Sequence, residues 1–452
     1  MRKGVFILIG LLKYKKRRLA SSQVIIIGFM AVILSGTILL MLPISARDRC
    51  VTGFEDALFT ATSAVCVTGL VVLDTATYWS AFGQAVILLL IQIGGMGVIT
   101  VAVSLAIISG KKISLMQRST MQEAFAAPKV GGIVRLTSFV VKTTFLMELL
   151  GAVVMAPVFC RDFGVKGIWM ALFHSISAFC NAGFDLMGSR GEFSSLTSYA
   201  SQPVINIVIM ALIITGGIGF LTWDDIRMNR LHFHKYRMQS KVILTMTALL
   251  LILPAVFFYF HEFTEYEPAK RLLYSVFQSV TPRTAGFNTA DLNGLSEAGQ
   301  WITILLMLTG GSPGSTAGGM KTTTVAVIFA TAIATFCKKE SPHMFERRIH
   351  DSTVKSAATI CLMYIVLFFS GGLMISVIED LPVLECLFES ASAVGTVGLT
   401  LGITQQLGRA SRIILIILMF LGRVGGLTLI FAALSGTKKT PSKLPLEKIT
   451  VG

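Results

Sequence analysis

Long apolar stretches separated by short charged connections set the pattern of this chain. Eight stand out, at residues 24–43, 79–109, 134–159, 202–223, 240–260, 301–335, 353–378 and 411–434. A helix needs about 20 apolar residues to cross a bilayer, so each stretch reads as a span. Two of them, 79–109 and 301–335, exceed that length and must tilt, protrude or break. The pattern predicts an all-α integral membrane protein with eight transmembrane helices.

The connections after the odd-numbered spans are themselves apolar, and they resemble one another. They read FEDALFTATSAVCVTGLVVLD from Phe54, ALFHSISAFCNAGFDLMG from Ala171, LLYSVFQSVTPRTAGFNTADL from Leu272 and CLFESASAVGTVGLTLG from Cys386. Each holds about ten residues of helical pattern, then a small-residue stretch ending in Gly69-Leu70, Gly183-Phe184, Gly286-Phe287 or Gly398-Leu399. The anchor glycines are 114, 103 and 112 residues apart. Phe59, Phe173 and Phe388 lie ten residues before their glycines, and Ser63, Ser177 and Ser392 lie six before. The third copy has Val276 and Val280 at those offsets. Each closing span echoes the repetition, with GGMGVIT at Gly94, GGIGFLT at Gly216, GGSPGST at Gly310 and GRVGGLT at Gly422. Internal repetition at a fixed period signals repeated structural units. The units expected are span, half-helix, glycine turn, span: residues 24–109, 134–223, 240–335 and 353–434, with a basic segment 1–23 before them and a tail 435–452 after.

Composition strengthens the membrane reading. Hydrophobic residues make up 54% and charged residues 14%, and the mean hydropathy is +0.75. A soluble domain carries roughly 25% charged residues. The net charge is +15, which in a soluble protein points to nucleic acid. Here Lys+Arg numbers 7 in residues 1–23, 6 in 110–142, 5 in 224–241, 5 in 337–355 and 4 in 436–452, together 27 of the 39. These segments all fall on one side, so the positive-inside rule places both termini in the cytoplasm. The basic run KYKKRR at Lys13 follows the apolar Val5–Leu12, the reverse of a secretory signal, and reads as a helix on the inner leaflet. The excess is spread over five segments without a nucleic-acid motif, so nucleic acid is not an expected partner. The seven cysteines form no CxxC pair, which argues against a zinc site or disulfide framework.

The four units suggest an ion pore. Irregular backbone at membrane depth survives only where protein buries it or water lines it. A half-helix aimed at a shared axis presents its negative C-terminal end to a cation. The turn after it can point carbonyl oxygens inward, in place of water. The filter stretches are Val65-Cys66-Val67-Thr68-Gly69, Phe179-Cys180-Asn181-Ala182-Gly183, Pro282-Arg283-Thr284-Ala285-Gly286 and Val394-Gly395-Thr396-Val397-Gly398, expected to bind a cation through main-chain oxygens around a pseudo-four-fold axis. Val67-Thr68-Gly69 and Thr396-Val397-Gly398 come nearest the TVGYG pattern of potassium channels. Any one of these glycines also fits helix packing, which does not account for the four-fold register. Arg283 is expected to point behind the filter. Glu55, Asp56, Glu385 and Glu389 serve either to gather cations at the outer mouth or as ordinary charges at helix N-termini.

Two further features lie inside spans. The first is Gly310-Gly311-Ser312-Pro313-Gly314-Ser315-Thr316-Ala317-Gly318-Gly319, five glycines and a proline that break span 301–335 and leave a loop over 309–320. It reads as a movable gate or as a static kink. The second is charge: Lys321 and Arg423 lie in spans, where a charge costs about 2.5–3.5 kcal/mol on insertion scales. Arg423 is an electrostatic barrier in the cavity or one partner of a salt bridge, with Glu148 as one mid-span candidate.

With the motifs SVTPRTAGFNT at Ser279, TGGSPGSTAGGMKTTT at Thr309 and MFLGRVGGLT at Met419, residues 24–434 resemble the Trk/Ktr/HKT superfamily of potassium transporters. Eight spans, with no extra helix pair before residue 24, make the Ktr-type membrane subunit the nearer match. The resemblance implies a channel-like potassium uptake protein of the plasma membrane, often sodium-dependent, with an intramembrane gate loop and a matching arginine barrier. It implies a homodimer in lipid on a cytosolic ring of nucleotide-binding regulatory subunits. A serine at the first filter glycine accompanies sodium transport in this superfamily, and all four positions here are glycine, which favours potassium. The sequence carries no P-loop, HExxH or GxSxG motif, so neither an enzyme nor an organic cofactor is expected. Two alternatives remain: the potassium-binding subunit of an ATP-driven pump, and an ion-coupled secondary transporter, which normally has inverted repeats.

Overall fold

The computed structural model describes residues 20–109, 113–124, 131–230 and 232–425. The basic segment 1–19, residues 426–434 of the last apolar stretch and the tail 435–452 lie outside the described residues. Helix α1 (Ser21–Met41) is followed by α2 (Phe54–Cys66), whose first turn carries Glu55 and Asp56 against its positive end. Helix α3 (Ala81–Met96) starts where Ser80 Oγ accepts from the Gly83 amide at 3.2 Å. It meets α4 (Val98–Ile108) at 94°, and α5 (Leu115–Ala124) follows.

The long α6 (Ile133–Phe163) turns tightly into α7 (Lys166–Phe179). Helix α8 (Pro203–Ile218) then meets α9 (Phe220–Asn229) at 93°. Helix α10 (Met238–Phe257) leads to α11 (Pro268–Val280), where proline occupies the first turn and loses no hydrogen bond. Helix α12 (Glu297–Leu308), capped by Ser296, and α13 (Thr322–Phe336) are separated by a segment without helix. A two-residue strand pair, His343–Met344 with Arg347–Arg348, precedes α14 (Asp351–Glu379). The last described helices are α15 (Val383–Gly395) and α16 (Arg409–Val424).

Burial sorts these helices into two kinds. In α1, α6, α10 and α14, only 33, 33, 22 and 28% of the most apolar window is buried. The exposed remainder is rich in Leu, Ile, Val and Phe, a surface suited to hydrocarbon. Helices α2, α7 and α15 are buried along most of their length, although each is too short to cross a bilayer. They pack inside the four long helices. The contacts between units also run one way round. Helix α3 packs on α7, α8 on α11, α12 on α15 and α16 on α2, which returns to the start.

Two expected spans take another form. Residues 202–223 are not one continuous helix. Gly219 adopts φ +95° between α8 and α9, a conformation that side chains with a Cβ avoid, and α9, which carries Asp224, Asp225 and Arg227, leaves at 93° to α8. Gly97 does the same at φ +86° between α3 and α4, which settles how the over-long stretch 79–109 is accommodated. Four described helices are long and apolar enough to span a membrane alone, or six spans result if each bent pair counts as one.

Candidate ion pathway

The four anchor glycines close a ring. A Cβ built on Gly69 would lie 2.5 Å from the Ala182 carbonyl oxygen, and one on Gly183 would lie 2.7 Å from that of Ala285. On Gly286 it would collide with the Val397 oxygen, and on Gly398 with the Thr68 oxygen. Each segment thus leans on the next, and the fourth leans on the first. All four glycines have positive φ, between +69° and +97°. Two residues earlier, Val67, Asn181, Thr284 and Thr396 are also left-handed, with φ of 57°, 60°, 65° and 53°. Positive φ therefore recurs at the same two places in all four segments, a conformation that residues with a Cβ rarely adopt.

The polar residues of the half-helices hold this backbone. Ser63 Oγ accepts from the Gly69 amide at 3.1 Å and Ser392 Oγ accepts from the Gly398 amide at 3.0 Å. The Ser63, Ser177 and Ser392 carbonyls accept from Thr68, Ala182 and Val397, each at 2.8 Å. The third unit, with Val280 at the serine position, uses Thr281: its carbonyl accepts from Ala285 at 3.0 Å and its hydroxyl donates to the Phe287 carbonyl at 2.5 Å. The stretches do not begin alike. Val65, Cys66, Val394 and Gly395 still belong to α2 and α15, and Phe179 ends α7, whereas Pro282 follows α11. Arg283 is buried and turns towards α10, with Nη2 3.5 Å from Thr247 Oγ1.

A cavity lies on each side of the ring. The first, about 450 Å³, is lined by all four anchor glycines together with Asp74, Asp185 and Asp291. Burial pushes the Asp185 carboxyl up to about 7, and the charge of Asp74 adds to the shift. These carboxylates follow their glycines by five, two and five residues, a signal overlooked in favour of the half-helix acids. Three of the four half-helix acids, all but Glu385, are engaged instead. Asp56 pairs with Arg412 at 2.8 Å, Glu55 with Arg409 at 3.2 Å, and buried Glu389 accepts from Thr404 at 3.0 Å.

The second cavity, about 720 Å³, is lined by Pro313, Gly314, Ser315, Ala317, Gly319, Met320 and Lys321 of the loop, and by Arg423. Neighbours pin the loop in place. The Ser312 and Thr316 amides donate to the Gly217 and Gly216 carbonyls at 3.0 and 3.3 Å, and the Phe220 amide donates to the Gly314 carbonyl at 2.9 Å. Gly310, Gly311 and Gly318 admit close backbone approaches to Gly318, Ala317 and Thr396. Lys321 Nζ donates to the Ala317 carbonyl at 2.7 Å and that of Gly318 at 3.2 Å, closing the loop on itself. Arg423 donates through Nη1 to the Thr316 carbonyl and through Nη2 to that of Gly94. Glu148 is occupied elsewhere: it accepts from Gln92 Nε2 at 3.1 Å, and among the described residues no salt bridge joins it to Arg423. A main-chain acceptor has no signature in the sequence, which is why Arg423 invited a carboxylate partner there.

A chain of this kind, with lipid-facing long helices around buried half-helices and a glycine ring, defines a multi-pass membrane transport protein. The particular family follows from comparison. Residues 7–442 match TrkH, the cation transport protein family, and the chain belongs to it. It is 40% identical over 97% of its length to the potassium/sodium uptake protein NtpJ of Enterococcus hirae, covering 99% of that protein. It is 38% identical to the Ktr system potassium uptake protein B of Bacillus subtilis, covering 96% of this chain and 97% of that one. Its fold resembles the crystal structure of the potassium transporter TrkH from Vibrio parahaemolyticus, with TM-score 0.73, 17% identity, and coverage of 95% of this chain and 86% of the other.

Proposed function

We propose that this chain takes up potassium across the plasma membrane through a channel-like pore. In this reading eight spans form four units around a pseudo-four-fold axis, and the gap 309–320 is an intramembrane gate. The observation that carries it is the ring, in which Gly69, Gly183, Gly286 and Gly398 each press on the next segment's carbonyls. Carbonyl oxygens there replace the hydration shell of the ion. Similarity to NtpJ and to the Ktr protein supports potassium as the cargo, with sodium as a second ion or coupling partner. Inward movement of one cation gains ~2.3 kcal/mol per 100 mV, so uptake needs no enzymatic step on this chain. The Ktr-type resemblance adds a homodimer in lipid and a cytosolic ring of nucleotide-binding subunits. The basic connections 110–135, 224–241 and 337–355 offer that ring a surface, with both termini on the same cytoplasmic side.

Expression in a bacterium lacking its own potassium uptake tests the assignment. The chain, alone and with its cytosolic subunit and at varied sodium, is expected to restore growth on low potassium. Failure in every combination, with the protein present in the membrane, overturns it. The gate has its own test. Replacing Gly310–Gly319 with a short linker is expected to raise potassium flux through the reconstituted protein, and unchanged flux with normal folding removes the gate.

A further inference from the structure

Among the described residues the hydrogen bonds from the gate loop to the filter run through Thr316, while Gly318 and Gly319 pack on the fourth segment at Thr396 and Gly395. Thr316 Oγ1 donates to the Phe179 carbonyl at 3.0 Å and lies 3.3 Å from Asn181 Oδ1. Its single proton is shared between the two acceptors. Phe179 supplies the last carbonyl of α7, and Asn181 stands two residues before the ring glycine Gly183. The other end of the same carboxamide, Nδ2, donates to the Arg283 carbonyl at 3.3 Å and faces Thr284 Oγ1 at 3.3 Å. Fully buried, Asn181 therefore bridges the second filter segment, the third filter segment and the loop.

The chemistry at this position is specific. Asn181 has φ 60°, and asparagine tolerates the left-handed region better than most residues with a Cβ. A carboxamide also offers an acceptor at one end and donors at the other. Turning it over would set its oxygen against the Arg283 carbonyl, so the neighbours select one orientation. Val67, Thr284 and Thr396 hold the matching places in the other segments. Valine has no donor, and Thr396 Oγ1 has no partner among the described residues. Space is as restricted as the bonding: a Cβ on Gly216 would lie 2.8 Å from both Asn181 Oδ1 and Thr316 Oγ1.

We propose that the Asn181 carboxamide couples the gate loop to the filter, so that withdrawal of Thr316 changes the filter's preference for potassium over sodium. This rests on the pore reading above. With the loop seated, Thr316 and the third segment hold the carboxamide between them. With the loop withdrawn, one side is released and the backbone of two filter segments loses a brace. Coupling of this kind is reciprocal, so potassium in the filter also favours one position of the loop.

The test is a double-mutant cycle on the reconstituted protein, reading potassium flux and the potassium-to-sodium flux ratio. Thr316→Val removes the hydroxyl proton, and Asn181→Gly removes the carboxamide while tolerating φ 60°. Each is expected to shift the flux ratio about fivefold, the effect of one neutral hydrogen bond. The double variant should shift it no further than either single one. Thr316→Ser keeps the hydroxyl and should behave as the parent. A Thr316→Val protein with raised flux but an unchanged ratio overturns the coupling and leaves the gate standing. Multiplicative effects in the double variant also overturn it. If Thr316→Val does not fold, a parental ratio in Asn181→Gly overturns the proposal by itself. An unchanged flux on loop replacement instead marks failure of the gate reading.

Discussion

Arg423→Gln is expected to raise potassium flux roughly ten- to a hundredfold. On the proposed gate reading, the guanidinium holds the pathway shut by joining two elements that must part. Through Nη1 it donates to the Thr316 carbonyl on the loop, and through Nη2 to the Gly94 carbonyl at the end of α3, with the Gly95 carbonyl at 3.4 Å. A hydrogen bond from a charged donor contributes about 1.5–3 kcal/mol. About 1.4 kcal/mol shifts an equilibrium tenfold, so loss of the contact to Thr316 alone moves the closed-to-open balance by one to two decades. On the same reading, removing the positive charge from the cavity that Arg423 lines lowers the barrier to cations as well. Flux into liposomes, normalised to folded protein by size-exclusion chromatography, measures the effect. Arg423→Lys separates the two contributions, because it keeps the charge but loses the planar fork that reaches both carbonyls. High flux in the lysine variant identifies the latch as dominant, and low flux identifies the charge. Parental flux in a well-folded glutamine variant sinks both.

The sequence yields the recurring parts of this structure more readily than the singular ones. The anchor glycines are visible because four backbones face the same problem and solve it at the same offset. Their companions two residues earlier are left-handed too, yet only Asn181 is of a type that suggests it. Val67, Thr284 and Thr396 adopt that conformation because the ring holds them there, and such tertiary control leaves no local trace. The bend after α8 is hidden for another reason. Gly216, Gly217 and Gly219 sit within apolar residues, so hydropathy runs smoothly into Phe220 and Leu221 although the backbone turns 93°. The third unit departs from the pattern through substitution of one partner for another. Thr281 bonds from one residue further along, so a comparison at fixed offset finds only Val280. Most ties of the loop escape sequence reading, since Gly216, Gly217 and Phe179 act through their carbonyls.

The strongest single perturbation of the filter is expected from Gly398→Ala, with potassium uptake lowered by about a hundredfold or more. Two costs combine there. Gly398 has φ +97°, where a residue with a Cβ is penalised by about 1–2 kcal/mol. The added methyl would also collide with the Thr68 carbonyl oxygen and lie 3.0 Å from the Gly69 Cα. Both atoms are backbone of the first unit, and neither can swing aside as a side chain would. Relief must displace Thr68 and Gly69, and Gly69 in turn bears on Ala182, so the distortion passes round the ring. A control lies four residues further on. Gly402 has nearly the same φ, +94°, but nothing lies within 4 Å of its would-be Cβ. Gly402→Ala therefore carries the strain without the collision, and it should retain most of the uptake. Equal losses in the two variants would show that strain alone is responsible and that ring contact contributes little. Parental uptake and selectivity in a folded Gly398→Ala protein would remove this ring from the path of the ion, because a carbonyl cage closed at Thr68 cannot accept the methyl and keep its dimensions.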